Sequence, residues 1–168
     1  MGRPADPTAQ APICVLLLPV PLERFAERER AEDLMRRQGV VAVDPARLSY
    51  TAFGRLPEPF ADGLAARQAR RLVRTLRRRK GTPRVVVMFH ALQYQLARAV
   101  VATVPGCELW YWRTAGEEAP ADDAPKLRER RRRLDERAAD RAAWIADLVP
   151  DRDAIRDRLM DLDIDVRV

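Results

Sequence analysis

Short apolar runs alternate with amphipathic segments along almost the whole chain, and this alternation is the feature that most limits its fold. The runs Ile13–Leu18 and Val85–Phe89 are continuous and apolar, which is typical of strands covered on both faces. Between them, residues 57–80 carry apolar side chains at helical spacing. Strands regularly separated by helices predict an α/β fold with three layers, in which helices cover both faces of a mostly parallel sheet.

The same pattern predicts about five or six strands, joined by helices and two notable loops. One loop contains Tyr50 and Phe53, and the other, at 113–125, is acidic and long enough to act as a lid. We expect residues 1–11 to form a disordered leader and residues 12–168 to form a single domain, with Asp151 capping the last helix. The predicted strands are 13–18, 40–43, 85–89, 108–112, 145–149 and 164–168. The predicted helices are 22–38, 57–80, 91–103, 126–148 and 151–162, and the end of the fourth could instead enter the strand 145–149.

Composition gives only broad limits on the function. The 168 residues are 47% apolar, enough for one ordinary core, and 31 Lys+Arg against 25 Asp+Glu give a net charge of +6. This positive excess favours anionic partners. The stronger explanation is that the arginines are solvated surface residues that bind no partner. Cys14 and Cys107 lie in predicted buried strands, no secretory signal precedes them, and no apolar run could span a bilayer. We therefore expect a cytoplasmic protein.

Two stretches resemble parts of a known family. Residues 16–45, LLLPVPLERFAERERAEDLMRRQGVVAVDP, resemble the opening strand, helix and second strand of the N-terminal, acceptor-side domain of two-domain, B-type glycosyltransferases. Residues 138–168, AADRAAWIADLVPDRDAIRDRLMDLDIDVRV, resemble the passage that closes that domain before the donor-binding domain. Pro19 to Pro21 stand where the family often has a glycine-rich turn.

The resemblance implies a Rossmann-like domain without the family's donor-binding partner domain. We therefore expect a glycosyltransferase-like domain that binds a sugar or nucleotide-type ligand but does not form a complete enzyme alone. It would act beside a partner chain that supplies the donor domain, or as a homodimer.

Candidate binding residues follow from the position of the strand ends, because ligands of open parallel sheets bind beyond the carboxyl ends of the strands. His90 could act as a base or bind an anionic oxygen, but a lone histidine is more often structural. Asp44 could accept a sugar hydroxyl or simply form an Asp-Pro turn. We expect Tyr111 in the core and one or both neighbouring tryptophans near the cleft. The predicted ligand-binding residues are Pro19, Arg24, Asp44, Gln93, Tyr94, Trp110, Trp112 and Arg113.

A second hypothesis is a non-catalytic scaffold, or a protein that binds nucleic acid or an acidic partner through arginine. One half of the predicted helix 57–80 carries Arg67, Arg70, Arg71, Arg74, Arg77 and Arg78. Because no aromatic residue interleaves with this run, solvation is the simpler explanation and nucleic acid the less favoured partner. The sequence contains no glycine-rich dinucleotide fingerprint, phosphate loop, Cys/His cluster or G-x-S-x-G elbow, so we expect neither cofactor nor metal.

Overall fold

A five-stranded, all-parallel sheet forms the centre of the molecule. The computed structural model describes residues 10–44, 50–114 and 124–168. The strand order is β2-β1-β3-β4-β5, with every neighbouring pair parallel. This is a doubly wound order, in which the direction of winding reverses between β1 and β3. The strands are β1 (Pro12–Leu17), β2 (Val40–Val43), β3 (Thr82–Met88), β4 (Glu108–Trp112) and β5 (Trp144–Ala146).

Helices cover both faces of the sheet and complete a three-layer, Rossmann-like fold, as predicted. One hydrophobic cluster joins the sheet to α2, α3, α4 and α5, and a second cluster joins the opposite face to α1 and α6. None of the helices in the described ranges is long and apolar enough to cross a membrane. The helices are α1 (Arg28–Met35), α2 (Tyr50–Arg55), α3 (Glu58–Arg79), α4 (Tyr94–Thr103), α5 (Pro125–Arg141) and α6 (Arg152–Asp161).

The continuous apolar runs are explained by burial on both faces. In β1, Ile13, Val15 and Leu17 enter one cluster, whereas Cys14 and Leu16 enter the other. Successive side chains of a strand point to opposite faces, so a strand covered twice has no position for a polar residue. This confirms the prediction made from the apolar run.

Helix α3 packs through small residues at intervals of four. Ala61, Ala65 and Ala69 are buried, followed by Val73 and Leu76, and their short side chains allow a close approach to the core. The chain then turns at Gly81, where φ is +155° and a Cβ atom would collide with the backbone of Ala11. Only glycine suits this close approach, which explains why the helix ends there.

Several predicted elements differ from the structure, among them the helix 126–148, which ends at Arg141. The predicted helix 22–38 is divided, because a short 3₁₀ turn at Leu22–Arg24 is followed by extended backbone at Phe25, whose ring is buried in the second cluster. The predicted loop with Tyr50 and Phe53 is the helix α2, which places the Phe53 side chain in the core. The fifth strand is shorter than predicted and ends at Ala146.

The predicted sixth strand, 164–168, is wrong. This segment runs beside the residues that precede β2, where the Gly39 N–H donates to the Asp165 carbonyl at 2.8 Å and the Gln38 N–H donates to the Arg167 carbonyl at 3.0 Å. The buried Arg37 side chain also donates to the Val166 carbonyl at 3.0 Å. The segment is therefore held by a few bonds to a turn and forms no ladder with the sheet.

Candidate functional site

The carboxyl edge of the sheet divides into a closed region and a charged region. The closed region, which we name the β1–β3 junction, consists of Leu17, Phe89 and Gln93. The Gln93 side chain is 1% exposed. Its Oε1 accepts from the N–H groups of Phe89 at 2.7 Å and His90 at 3.1 Å, while its Nε2 donates to the Leu17 carbonyl at 2.6 Å. Gln93 thus joins the ends of the two strands between which the winding reverses.

His90 lies beside this junction, at the start of the 3₁₀ turn Ala91–Gln93. Its Nδ1 accepts a hydrogen bond from the Leu92 N–H at 3.0 Å. In a neutral imidazole with Nδ1 as acceptor, the ring proton is on Nε2, an assignment that follows from this hydrogen bond. Burial, and then the nearby Arg131 guanidinium, lower the pKa of His90 to about 4, against an opposing effect of Asp135. His90 is therefore a neutral hydrogen-bond donor at pH 7.

The charged region lies between β4 and α5, and we name it the β4–α5 corner: Tyr111, Arg113, Arg131 and Asp135. The Tyr111 hydroxyl donates to Asp135 Oδ1 at 2.6 Å. Arg113 Nε lies 3.9 Å from the same carboxylate, and the guanidinium carbon lies 5.6 Å from the centre of the Tyr111 ring. The ring of Tyr111 is buried, so Tyr111 reaches this polar group through its hydroxyl and through the ring contact with Arg113.

Arg113 is held loosely compared with the rest of the corner. Its Nη1 lies 3.7 Å from Asp147 Oδ1, and its Nε makes no hydrogen bond to any of the described residues. Ion pairs of this length on a partly exposed side chain contribute little to stability. The guanidinium can therefore turn towards an anionic or hydroxyl-bearing ligand at small cost.

Together, these groups offer chemistry suited to binding a polar molecule. A neutral imidazole donor, a carboxylate acceptor and a forked guanidinium donor lie on the side of the sheet where parallel α/β folds bind ligands. The arrangement is less suited to proton abstraction by His90, because Nδ1 is already an acceptor and a pKa near 4 makes the imidazole a weak base at pH 7.

The predicted aromatic contacts are not available to a ligand in this structure. Trp110 and Trp112 are both 0% exposed, which corrects the expectation that one or both lie near the cleft. Their rings pack edge-on against Trp144, with centroids 4.9 and 5.5 Å away. The alternation of β4 explains this, because both residues point to the second cluster and Tyr111 points to the first, as expected for Tyr111.

The other predicted residues are dispersed along the edge. Tyr94 is buried in the first cluster, Pro19 is half-buried after β1, and Arg24 is exposed on the 3₁₀ turn that follows. Asp44 is exposed at the end of β2, where it lines a groove of about 440 Å³ between that strand and α3. The predicted lid falls largely on residues 115–123, which lie outside the described residues.

Sequence reasoning missed Asp135 and Arg131 and did not connect Tyr111 with them. Both missed residues lie beside the apolar stripe of α5, whose buried members are Leu134 and Ala138. A charged residue flanking a buried stripe points partly inwards, and this signal could have separated Asp135 from the exposed acidic residues of the same helix.

Neither cysteine is suited to nucleophilic chemistry, and no metal centre is present in the described ranges. Burial raises the pKa of the Cys107 thiol to about 12 and that of Cys14 even further, so both remain protonated. The described residues contain no group of three or more His, Cys, Asp or Glu side chains that could hold a metal ion.

The chain is therefore a Rossmann-like α/β protein, with a doubly wound parallel sheet and a charged corner at the carboxyl edge of that sheet. No family model, curated protein or solved structure matches this chain.

Proposed function

We propose that this chain is a glycosyltransferase-like binding domain that takes a sugar or nucleotide-type ligand at the carboxyl edge, between His90 and the β4–α5 corner. The observation that carries the proposal is the neutral His90 imidazole, held by Leu92 beside the Arg131 and Asp135 charges. The resemblance of residues 16–45 and 138–168 to the acceptor-side domain of B-type glycosyltransferases agrees with this choice of ligand.

Each side chain has a separate part in the proposed binding. His90 donates from Nε2 to a hydroxyl or phosphate oxygen, Asp135 accepts from a sugar hydroxyl, and Arg113 binds a phosphate in a forked geometry. The Tyr111 hydroxyl keeps the Asp135 carboxylate in place through its 2.6 Å hydrogen bond. The buried tryptophans take no part, so stacking on a sugar is removed from the proposal.

The proposal assigns binding to this chain and leaves group transfer to a complex. Transfer from a nucleotide-sugar donor needs a donor-binding surface, which a partner chain or a second copy would supply. His90 then orients the ligand and does not remove its proton, because its Nδ1 accepts from Leu92 and its pKa is near 4.

Isothermal titration calorimetry of the purified chain tests the proposal. The probes are nucleotide sugars, free nucleoside diphosphates and neutral monosaccharides, each with the wild type and with Arg113→Gln, His90→Asn and Arg128→Gln. Asn keeps an acceptor for the Leu92 N–H, whereas Arg128 is an exposed control on α5. Removing a charged hydrogen bond should weaken binding of a diphosphate about tenfold or more in Arg113→Gln.

His90→Asn should weaken binding of every ligand in the panel, and Arg128→Gln should change none. Saturable binding that is unchanged in both site variants would place the ligand elsewhere and reject the proposal. Failure of the whole panel to bind at millimolar concentrations would also reject it for the isolated chain.

A further inference from the structure

The outer surface of α3 carries a row of arginines, which we name the α3 arginine face: Arg67, Arg70, Arg71, Arg74, Arg77 and Arg78. All six are exposed, as their positions on the helical wheel predicted. At about 1.5 Å per residue, the row is about 16 Å long. It lies on the side of the helix opposite the buried residues Ala61, Ala65 and Ala69.

These six guanidinium groups have no ion-pair or hydrogen-bond partner within residues 10–44, 50–114 and 124–168. The two acidic residues of α3 point elsewhere and are paired with neighbouring helices. Asp62 accepts from Arg98 at 3.0 Å, and Glu58 accepts from Arg137 at 3.1 Å. The positive charge of the face is therefore left without local compensation.

The arginines of α5 are arranged differently. Arg132 bonds to both Glu129 and Glu136, and Arg133 lies within ion-pair distance of Glu129. Like charges three or four residues apart destabilise a helix by about 0.2–0.5 kcal/mol per pair, and α3 accumulates several such pairs. Arginines of α5 thus have acidic partners on their own helix, whereas those of the α3 arginine face do not. We infer that the α3 arginine face is more than a solvated surface.

The shape of the α3 arginine face favours a nucleic-acid strand as its partner. Arg70, Arg74, Arg77 and Arg78 line a shallow hollow of about 300 Å³ between α3 and the end of α4. At the other end, Phe60 is 68% exposed, and its spacing of seven residues from Arg67 places it on the same side of the helix. An exposed aromatic ring in line with the arginines provides a stacking surface, although no aromatic residue lies within the arginine run itself.

We propose that the α3 arginine face binds a nucleic-acid strand, with the arginines on consecutive phosphates and Phe60 against a base. Measured along the axis of a duplex, each strand carries a phosphate about every 3.4 Å, so the length of the face matches the axial rise of about five phosphates. A membrane surface is less suitable, because the apolar side of α3 is buried against the core and Phe60 alone remains to enter a bilayer.

Fluorescence anisotropy with a labelled 20-nucleotide single strand and the matching duplex tests the proposal. The test variant changes Arg70, Arg74 and Arg77 to Gln, and the control variant changes Arg128, Arg132 and Arg133 of α5 to Gln. Both variants lose three positive charges, so a difference in their affinities reports the position of the charges and not the net charge. We expect at least a tenfold loss for the test variant, a loss below about twofold for the control, and a salt slope lower by about 2 for the single strand.

Circular dichroism of each variant verifies the fold, and the single variant Arg74→Gln replaces the triple variant if that fails to fold. Equal losses in the two triple variants would mean attraction by net charge and would overturn the proposal. Anionic phospholipid vesicles and poly-glutamate are the competing probes. Tighter binding to either of them than to both nucleic acids would also overturn it.

Phe60→Ala separates stacking from phosphate binding. We expect about a tenfold loss on the single strand and little change on the duplex, whose bases are already stacked. An unchanged affinity for the single strand would remove Phe60 from the interface and contradict the proposal as stated.

Discussion

The β1–β3 junction and the β4–α5 corner lie on the same edge of one sheet, yet they are built in opposite ways. At the junction, the neutral amide of Gln93 is buried, and its three hydrogen bonds all reach backbone groups at strand ends. At the corner, charged side chains meet one another, and Arg113 contacts Asp135 and Asp147 only at 3.7–3.9 Å. His90 lies between the two.

This contrast explains why we place the proposed ligand away from the junction. Doubly wound sheets usually leave a crevice where the winding reverses, between strands such as β1 and β3. Here Gln93 occupies that position and satisfies the backbone groups that a ligand would otherwise contact. The groups that can still reorganise lie one strand further along, so the proposed binding position lies towards β4 and not at the junction.

The largest effect is expected from Gln93→Leu, which tests whether the junction is structural. Leucine has a similar volume but leaves the N–H groups of Phe89 and His90 and the Leu17 carbonyl unsatisfied. At about 1–3 kcal/mol for each of these three groups, we expect a loss of at least about 3 kcal/mol in the free energy of unfolding, measured by urea denaturation at pH 7.

Gln95→Leu is the matched control for this change. Gln95 is also buried, at 3% exposure, but its Nε2 makes a single 3.2 Å bond to Asp62, and its Oε1 has no partner in the described part of the chain. We expect a loss below about 1 kcal/mol. Equal losses for Gln93→Leu and Gln95→Leu would show that the junction is not specially fixed.

The pH dependence of stability tests the position of His90 between the two regions. Its pKa is about 4 in the folded chain, lower than its usual value of 6.5, so the unfolded chain takes up the proton first as the pH falls. The stabilisation is complete above about pH 6.5 and is lost as the pH falls towards 4. The loss is up to about 3 kcal/mol, at about 1.4 kcal/mol per pKa unit.

Urea denaturation between pH 7 and pH 4 measures this loss, with His90→Asn as the comparison. Asparagine cannot take up a proton and keeps an acceptor for the Leu92 N–H, so only the titration of His90 is removed. The difference between the two stability curves should appear between pH 6.5 and 4. Parallel curves for wild type and variant would contradict the assignment of a buried, neutral imidazole.

A smaller effect is expected from Tyr111→Phe, which removes one fixed bond of the corner. The 2.6 Å hydrogen bond to the Asp135 carboxylate is partly buried, and its loss should reduce the free energy of unfolding by about 1–2 kcal/mol. Tyr94→Phe is the control, because the Tyr94 hydroxyl makes no hydrogen bond within the described ranges. Its removal should reduce the free energy of unfolding by less than about 0.5 kcal/mol. Equal costs would mean that Tyr111 contributes through packing alone.

The layers of the fold could be predicted from the sequence because their signal is local. A strand buried on both faces must be continuously apolar, so β1 and β3 are visible, and the exposed arginines of α3 reveal which side of that helix faces outwards. The final strand was wrong for a related reason. Ile164 is buried by packing of the chain end against Gly39, and burial alone does not distinguish such a segment from a strand.

The candidate site could be predicted only in part, because its contacts are long-range. His90 and Arg113 could be placed at strand ends from the order of elements. The bond between Tyr111 and Asp135 joins residues 24 positions apart and depends on how α5 rotates against the sheet. For Gln93, the sequence gives the position at a strand end but not the inward direction of the side chain, so a structural residue was predicted to bind ligand.

The smallest effect on stability is expected from Arg113→Gln. Its ion pairs at 3.7 and 3.9 Å and its contact with the Tyr111 ring should together contribute less than about 1 kcal/mol to the free energy of unfolding. The same variant should weaken a phosphate-bearing ligand about tenfold, because a charged hydrogen bond is lost from the complex. Arg113 would then contribute to binding but little to folding, in contrast to Gln93 at the junction. A loss above about 2 kcal/mol in the free energy of unfolding, measured by urea denaturation, would mean that Arg113 is a structural residue like Gln93. The carboxyl edge would then lack a charged group able to turn towards a ligand.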